Sequence, residues 1–168
     1  MKLIYGTKYS LNKEEQDLIQ NMSDIICNQG RGYFTDKYQR DKTIKLHDMN
    51  LNGFGAELAF CKLCNIPFDS SAIEKESHFN KVDATLLNGI TVDVKNTVYT
   101  NGKLIVRTGK EQKYVDIYAL VIGKFPNFIF SGWIKYEDII QPKFIEDLGW
   151  GPAYSLTQSN LNKELDIL

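Results

Sequence analysis

Three charged residues stand close together in an otherwise apolar stretch of the sequence: Asp83, Asp93 and Lys95. One residue separates Asp93 from Lys95, so on a strand their side chains point to the same face, about 7 Å apart. Asp83 lies on the other side of Asn88-Gly89, a dipeptide that readily takes the positive φ angles of a tight hairpin turn. Charges on an apolar hairpin are costly unless they are solvated or bind something. The spacing therefore predicts a hairpin that carries a functional site.

Two carboxylates on neighbouring strands form a hard oxygen site of the kind that Mg²⁺ or Mn²⁺ occupies. A nearby lysine can orient or help to deprotonate a water, or neutralise charge that develops on a phosphate. This combination suits metal-assisted hydrolysis of a phosphodiester, because a metal polarises the phosphoryl group and lowers the pKa of bound water. The alternative is that Asp93 and Lys95 form an exposed ion pair worth less than about 1 kcal/mol. Composition and spacing favour neither alternative.

An acidic residue two places before a lysine is uninformative on its own, because a chain with 21 acidic residues contains such triplets by chance. A second triplet, Glu111-Gln-Lys113, falls on a polar turn. Only Asp93-Val-Lys95 falls on a predicted strand, one turn away from another aspartate. This context makes it the candidate.

Glu57 lies near the start of a second predicted helix, beside an apolar stripe that contains Phe54, Leu58, Cys61 and Cys64. Its position places a carboxylate beside this buried stripe, and the alternative to a functional role is a favourable interaction with the helix dipole. Cys61 and Cys64 have CxxC spacing, but the chain has no second such pair and contains only 2 histidines. We expect both cysteines to be small core residues and zinc to be absent.

Basic and aromatic residues are interleaved between Arg31 and Asp48, ahead of the second helix. Such residues on a loop suit contacts with a nucleic-acid backbone and stacking on its bases. A solvated loop with its aromatics on the core is the equally supported alternative. A shorter basic stretch follows the third predicted strand. The candidate DNA contacts in the two stretches are Arg40, Lys42, Lys45, Arg107, Lys110 and Lys113.

Helical and strand patterns predict the elements that would position these residues. Met1 to Tyr9 fits an edge strand or arm, and Asn12 with Glu15 fits a capping box that opens a helix over about 12–29. A second helix is predicted from Asn52 to about Asn65. The later elements follow in this order: a hairpin over 82–97, a third strand of the same meander at 103–107, a short crossover, a strand buried on both faces at 116–122, another strand at 127–134, and a short helix at 136–140.

This order predicts one domain of the α/β or α+β class over residues 1–168, with a core at about 52–135 and a C-terminal tail at about 141–168. The sequence resembles the PD-(D/E)XK nuclease superfamily, which has the restriction-endonuclease-like fold. The motifs that carry the resemblance are Gly53-Phe-Gly-Ala-Glu57-Leu-Ala-Phe, Lys81-Val-Asp83, Thr91-Val-Asp93-Val-Lys95 and the buried strand that begins at Asp116.

The resemblance implies a central mixed β-sheet flanked by helices and a metal-dependent endonuclease of DNA. By this resemblance Asp83, Asp93 and the main-chain carbonyl of Val94 would bind Mg²⁺, for which Mn²⁺ can substitute. Lys95 would serve the attacking water, and Glu57 matches the helical glutamate that many members use for the metal site. Compact members are similar to proteins of phages and mobile elements, and cleavage of both strands would favour a homodimer.

The bulk composition limits the classes of function. A net charge of −1 provides no global cationic field for nucleic acid or anionic membrane, so DNA binding would need a local basic patch. The sequence contains no signal-peptide pattern and no apolar stretch long enough to span a membrane, and its 3 cysteines do not pair evenly. We expect a cytoplasmic protein with no membrane partner. The rival function is a catalytically inactive nuclease-like fold that binds nucleic acid or a protein.

Overall fold

The computed structural model describes residues 1–28, 45–73, 82–109 and 114–168. The helices of this part are α1 (Lys13–Asn28), α2 (Leu46–Leu63) and α3 (Tyr136–Ile139). The strands, in chain order, are β1 (Lys2–Ile4), β2 (Lys8–Ser10), β3 (Ala84–Thr85), β4 (Thr91–Thr97), β5 (Leu104–Arg107), β6 (Ile117–Lys124), β7 (Asn127–Lys135), β8 (Ile145–Asp147), β9 (Pro152–Leu156) and β10 (Glu164–Asp166).

The main sheet has five strands in the order β2-β7-β6-β4-β3. Strands β4 and β6 are parallel, with Val92 opposite Ile117, while the other neighbours are antiparallel. Every residue of β6 from Ile117 to Ile122 is buried, as expected of a strand covered on both faces. The predicted mixed α+β class, the buried strand at 116–122 and the strand at 127–134 are confirmed. The N-terminal segment, predicted as an edge strand or an arm, forms two short strands, of which β2 lies at the edge of the main sheet and β1 pairs with β10.

Two apolar layers cover the two faces of the main sheet. On one face α2 packs against β4 and β6 and α1 packs against α2, which buries side chains such as Ile19, Phe60 and Val92. On the other face lie Tyr118 and Leu120 of β6 together with residues of α3 and of a second sheet, β5-β9-β8. The expectation that helices flank the sheet is therefore met on one face, whereas the opposite face is covered mainly by a sheet.

The third strand of the predicted meander is the main topological error. Strand β5 exists, but it pairs with β9 in the second sheet, with Leu104 opposite Leu156. The position beside β4 is already taken by the parallel strand β6, so β5 leaves the main sheet and buries Leu104 and Val106 in the layer beneath it. The segment predicted as a tail supplies its partner β9, and the strands β8 and β10 also lie in this segment.

The two long helices show where local signals succeed and fail. The backbone N–H of Glu15 donates to Asn12 Oδ1 (3.0 Å) and that of Asn12 donates to Glu15 Oε2 (2.9 Å), so the predicted capping box is confirmed. Helix α2 begins at Leu46 rather than at Asn52, and its N-cap residue Lys45 makes no side-chain cap. The sequence signal for this start was weak, and the first turn was assigned to the preceding charged loop. None of the described helices is long and apolar enough to cross a membrane.

Candidate metal and nucleic-acid site

The hairpin that joins β3 to β4 carries three of the predicted site residues, Asp83, Asp93 and Lys95. The backbone N–H of Leu86 donates to the carbonyl of Ile90 (2.9 Å), and that of Gly89 donates to the carbonyl of Leu86 (2.9 Å). Gly89 has φ of +87°, which glycine adopts at little cost. The loop therefore has three residues rather than two, and of Asn88-Gly89 only Gly89 takes a positive φ angle.

Asp83 lies beside β4, directly before β3. Strand β3 has only two residues, with Ala84 opposite Val92, and the backbone N–H of Asp83 donates to the carbonyl of Val92 (3.0 Å). One step further, the N–H of Val94 donates to Asp83 Oδ2 (2.7 Å), so this carboxylate stands where a longer β3 would have supplied a carbonyl. The N–H and C=O of one strand residue point the same way, which places the carbonyl of Val94 on the side of Asp83.

Asp93 and Lys95 form an ion pair on the face of β4 that is turned away from α2. Lys95 Nζ lies 2.6 Å from Asp93 Oδ1, and the side chains are 31% and 3% exposed. The approach does not have the geometry of a hydrogen bond, so Asp93 Oδ1 is a buried oxygen that accepts none from the described residues. The ammonium also lies 5.7 Å from the ring centroid of Tyr118, the parallel neighbour of Asp93. The predicted proximity of Asp93 and Lys95 is confirmed.

Glu57 occupies α2, and the thiol of Cys61 shows which way it faces. Burial raises the pKa of Cys61 to about 12, and the negative charges of Glu57 and Asp83 add to the effect. The two carboxylates therefore act on the same thiol, Glu57 from one turn before it and Asp83 from the edge of the sheet. Cys61 and Cys64 are fully buried in the apolar layer under α2, so the expectation that they are core residues is confirmed.

The donor set can be compared with what Mg²⁺ requires. In the described ranges no three side chains of His, Cys, Asp or Glu lie close enough together to hold a metal ion. Asp83, Asp93 and the Val94 carbonyl nevertheless offer hard oxygen donors on neighbouring positions, and Mg²⁺ commonly uses one or two carboxylates with waters and substrate phosphates. The buried Oδ1 of Asp93 is an oxygen that a cation would satisfy. These oxygens are of the chemical type that Mg²⁺ takes, and both the binding of Mg²⁺ here and the participation of Glu57 stay predictions.

Two of the six predicted DNA contacts fall within the described residues. Lys45 is exposed immediately before α2. Arg107 ends β5 in the second sheet, where its guanidinium lies 5.0 Å from the ring centroid of Trp150. The other four residues lie outside the described ranges: Arg40, Lys42, Lys110 and Lys113.

A cleft of about 520 Å³ at the carboxyl ends of β4 and β6 was not anticipated from the sequence. Its lining comes from three separate segments, namely the start of α2, the turn after β4 and the turn after β6. Because none of these segments carries a recognisable motif, only the fold brings them together. The lining residues are Asp48, Leu51, Asn52, Val98, Tyr99, Lys124 and Phe125.

Comparison of the chain with protein-family models, with curated proteins and with solved structures gives no match. The resemblance to the PD-(D/E)XK superfamily therefore depends on the motifs of this sequence alone.

Proposed function

We propose that the protein is a Mg²⁺-dependent endonuclease that hydrolyses phosphodiester bonds of DNA. The observation that carries the proposal is the Asp93–Lys95 pair beside Asp83, in which a buried carboxylate oxygen lacks a hydrogen bond and an ammonium lies next to it. A fold gains no stability by leaving such an oxygen unsatisfied. In a site that binds a cation, such an oxygen is left without a hydrogen bond because the cation occupies that place.

The proposed roles of the site residues follow from how exposed their side chains are. Asp83, Asp93 and the carbonyl of Val94 would hold Mg²⁺, or Mn²⁺ in its place, and the bound ion supplies polarisation of the phosphoryl group and a lowered pKa of water. Lys95 is the more exposed member of its pair, at 31% against 3% for Asp93. A substrate phosphate would meet the ammonium first, and Lys95 can then orient the attacking water or neutralise developing charge.

Glu57 would support this site from α2. Its charge and that of Asp83 both raise the pKa of the Cys61 thiol, which supports a role for Glu57 in the neighbourhood of Asp83. Lys45 and Arg107 remain the described candidates for contacts with the DNA backbone. All 3 cysteines are free, which suits the reducing cytoplasm that we propose as the compartment.

A specific observation also favours a second candidate, a nuclease-like fold that binds nucleic acid or protein without catalysis. In the described residues no three-carboxylate group exists, and Lys95 already neutralises Asp93. A protein that has lost the metal could keep this ion pair as its substitute. In this second candidate the Asp93–Lys95 pair is a remnant that neither binds Mg²⁺ nor meets a phosphate.

Cleavage of supercoiled and linear DNA with Mg²⁺ or Mn²⁺ tests the proposal. The variants are Asp93→Ala and Lys95→Ala, and the control is Lys13→Ala, because Lys13 and Asp17 form an exposed ion pair far along the chain from the site. We expect the wild type and the control to cut and both site variants to be inactive. Saturable Mn²⁺ binding that is lost in Asp83→Ala counts against the non-catalytic candidate.

A wild type that binds DNA but cuts nothing with either metal would overturn the endonuclease proposal and support the binding module. Equal cleavage by all variants would remove the roles of Asp93 and Lys95. Light scattering of the active protein with duplex DNA checks the homodimer that double-strand cleavage would favour.

A further inference from the structure

The cleft at the carboxyl ends of β4 and β6 is built around two aromatic residues on separate turns. Tyr99 follows β4 and is 54% exposed, while Phe125 follows β6 and is partly buried against the apolar layer under α2. Both residues line the same space of about 520 Å³, together with Leu51 of α2. A cleft of this size, with both apolar and polar residues in its walls, is in the usual range for small-ligand sites.

Hydrogen bonds from a distant side chain hold the turn that carries Tyr99. The backbone N–H of Gly102 donates to the carbonyl of Tyr99 (3.0 Å) and closes the turn. Gln158 Nε2 donates to the carbonyls of Thr100 (2.9 Å) and Gly102 (2.8 Å). Gln158 is fixed in turn by the buried Ser131, whose hydroxyl donates to Gln158 Oε1 (2.6 Å). The exposed aromatic side chain therefore projects from a fixed support.

The turn that carries Phe125 is anchored in a similar way from α2. The backbone N–H of Phe125 donates to Asn52 Oδ1 (2.9 Å), and Asn52 is buried at 8% exposure. Asn96 Nδ2 donates to the carbonyls of Val121 (3.0 Å) and Gly123 (3.3 Å), which ties the ends of β4 and β6 together. The backbone turns that carry both aromatic residues are thus held before any ligand arrives, and such preorganisation lowers the entropic cost of binding.

Two charged residues line the cleft, Asp48 and Lys124. Lys124 is exposed and can pair with a phosphate, while Asp48 can accept a hydrogen bond from an amino group of a base. Lys45, also exposed, precedes Asp48 by one helical turn. Aromatic platforms next to lysines are how proteins bind single-stranded nucleic acid, because every base has a face that can stack.

We propose that the cleft binds one unpaired nucleotide of a DNA strand. Its base lies against the aromatic side chains of Tyr99 and Phe125, its phosphate meets Lys124, and an exocyclic amino group of the base donates to Asp48. The proposal rests on the proposed nuclease function, whose substrate it specifies as DNA with a single-stranded region. Val98 stands three residues beyond Lys95 on the same chain segment, about 10 Å away for an extended strand.

Anisotropy of labelled DNA in EDTA tests this inference without any cleavage. The probes are a blunt duplex, the same duplex with a short single-stranded overhang, and the same overhang with abasic sites. We expect the intact overhang to bind tightest, and Tyr99→Ala to weaken only that complex, roughly tenfold. Tyr99→Phe should bind as the wild type does, and Lys124→Ala should weaken both overhangs. Tyr114→Ala is the control, since Tyr114 is 64% exposed but lies at the opposite end of β4.

Equal affinity for the three probes, an unchanged Tyr99→Ala complex, or an equal loss in Tyr114→Ala would each overturn the inference. Competition with deoxycytidine monophosphate and with inorganic phosphate distinguishes binding of a DNA strand from binding of a free nucleotide or a free phosphate. A mononucleotide that competes as well as the overhang would overturn the assignment to a DNA strand. If the protein cuts duplex DNA but does not prefer the overhang, only this inference is wrong. If it prefers the overhang but cuts no DNA, only the endonuclease proposal is wrong.

Discussion

Two buried carboxylates, Glu15 and Asp93, each lie next to a lysine, yet their surroundings differ. Glu15 is 7% exposed, accepts hydrogen bonds from the Asn12 amide and from the Tyr9 hydroxyl (2.9 Å), and forms an ion pair with Lys62 (3.1 Å). Asp93 is 2% exposed, and its Oδ1 has a neighbouring ammonium but no hydrogen bond within the described residues. The fold gives the first carboxylate hydrogen bonds as well as an ion pair, whereas in the described part of the chain Oδ1 of the second has an ion pair alone.

The difference separates a structural role from a functional one. Satisfied buried carboxylates join elements, and Glu15 joins the strand β2, the start of α1 and the end of α2. An unsatisfied buried oxygen costs free energy, so it persists where binding or catalysis requires it. Loss of Glu15 should therefore affect stability without affecting activity, and loss of Asp93 should do the reverse.

The largest expected effect comes from Asp93→Asn. We expect DNA cleavage to fall about 10²- to 10³-fold, the cost of removing one electrostatic group from a transition state. Urea unfolding should show no loss of stability, because the substitution removes a poorly satisfied charge and Lys95, at 31% exposure, can turn to solvent. Asp17→Asn, in an exposed pair, is the control for both measurements. A greater loss of stability than in Glu15→Gln would break the comparison.

The second prediction concerns α2, which carries both Lys62 and Glu57. A Cβ at Gly55 would lie 2.7 Å and 2.9 Å from ring atoms of Phe128, so Gly55→Ala should lower the free energy of unfolding by about 1–3 kcal/mol. Gly53→Ala is the matched control on the same helix, since nothing lies within 4 Å of its Cβ. It should raise stability by up to about 1 kcal/mol. If the urea midpoints of both variants shifted in the same direction from that of the wild type, α2 would not approach β7 this closely.

The same contrast explains how much of the structure could be predicted from the sequence. Most contacts of Glu15 are with residues close to it in sequence. Asn12 and Glu15, which lie within four residues, predict the start of α1. The proximity of Asp83, Asp93 and Lys95 is also local, because one hairpin creates it. Residue spacing is sufficient evidence for contacts of this kind.

Contacts across the chain were not predictable in this way. Strand β5 pairs with β9, whose residues fall in the segment predicted as a tail, and no local pattern specifies that partner. Tyr99 and Phe125 meet at one cleft only because β4 and β6 are parallel and end together. Parallel pairing depends on the packing of whole layers, which the hydrophobic pattern of a single strand does not encode.

The third prediction tests the structural member of the pair directly. Glu15→Gln keeps the size of the side chain but removes the charge that Lys62 faces, so the free energy of unfolding should fall by about 1–2 kcal/mol. DNA cleavage should be unchanged, since Glu15 does not lie on the hairpin. Glu14→Gln is the control, because Glu14 is the exposed neighbour in the same first turn. Reduced cleavage with unchanged stability would reverse the roles assigned to the two carboxylates.

The smallest expected effect is the pH dependence of Glu15. Burial alone would raise its pKa, but the Asn12 amide, the Lys62 ammonium and the Tyr9 hydroxyl together hold that pKa below its ordinary value of 4.5. The unfolded chain therefore takes up a proton at a higher pH than the folded protein does. The stabilisation by Glu15 is complete above pH 4.5 and is lost as the pH falls through the lowered pKa of the folded state.

Urea midpoints measured from pH 7 downwards would reveal this loss as a narrowing gap between the wild type and Glu15→Gln below pH 4.5. Glu14→Gln should run parallel to the wild type over the same range. A gap that stays constant to the lowest pH would mean that Glu15 stabilises the fold through its hydrogen bonds alone. The negative charge of Glu15 would then make no contribution to stability. Glu15 and Asp93 would no longer be comparable as charged partners of a lysine.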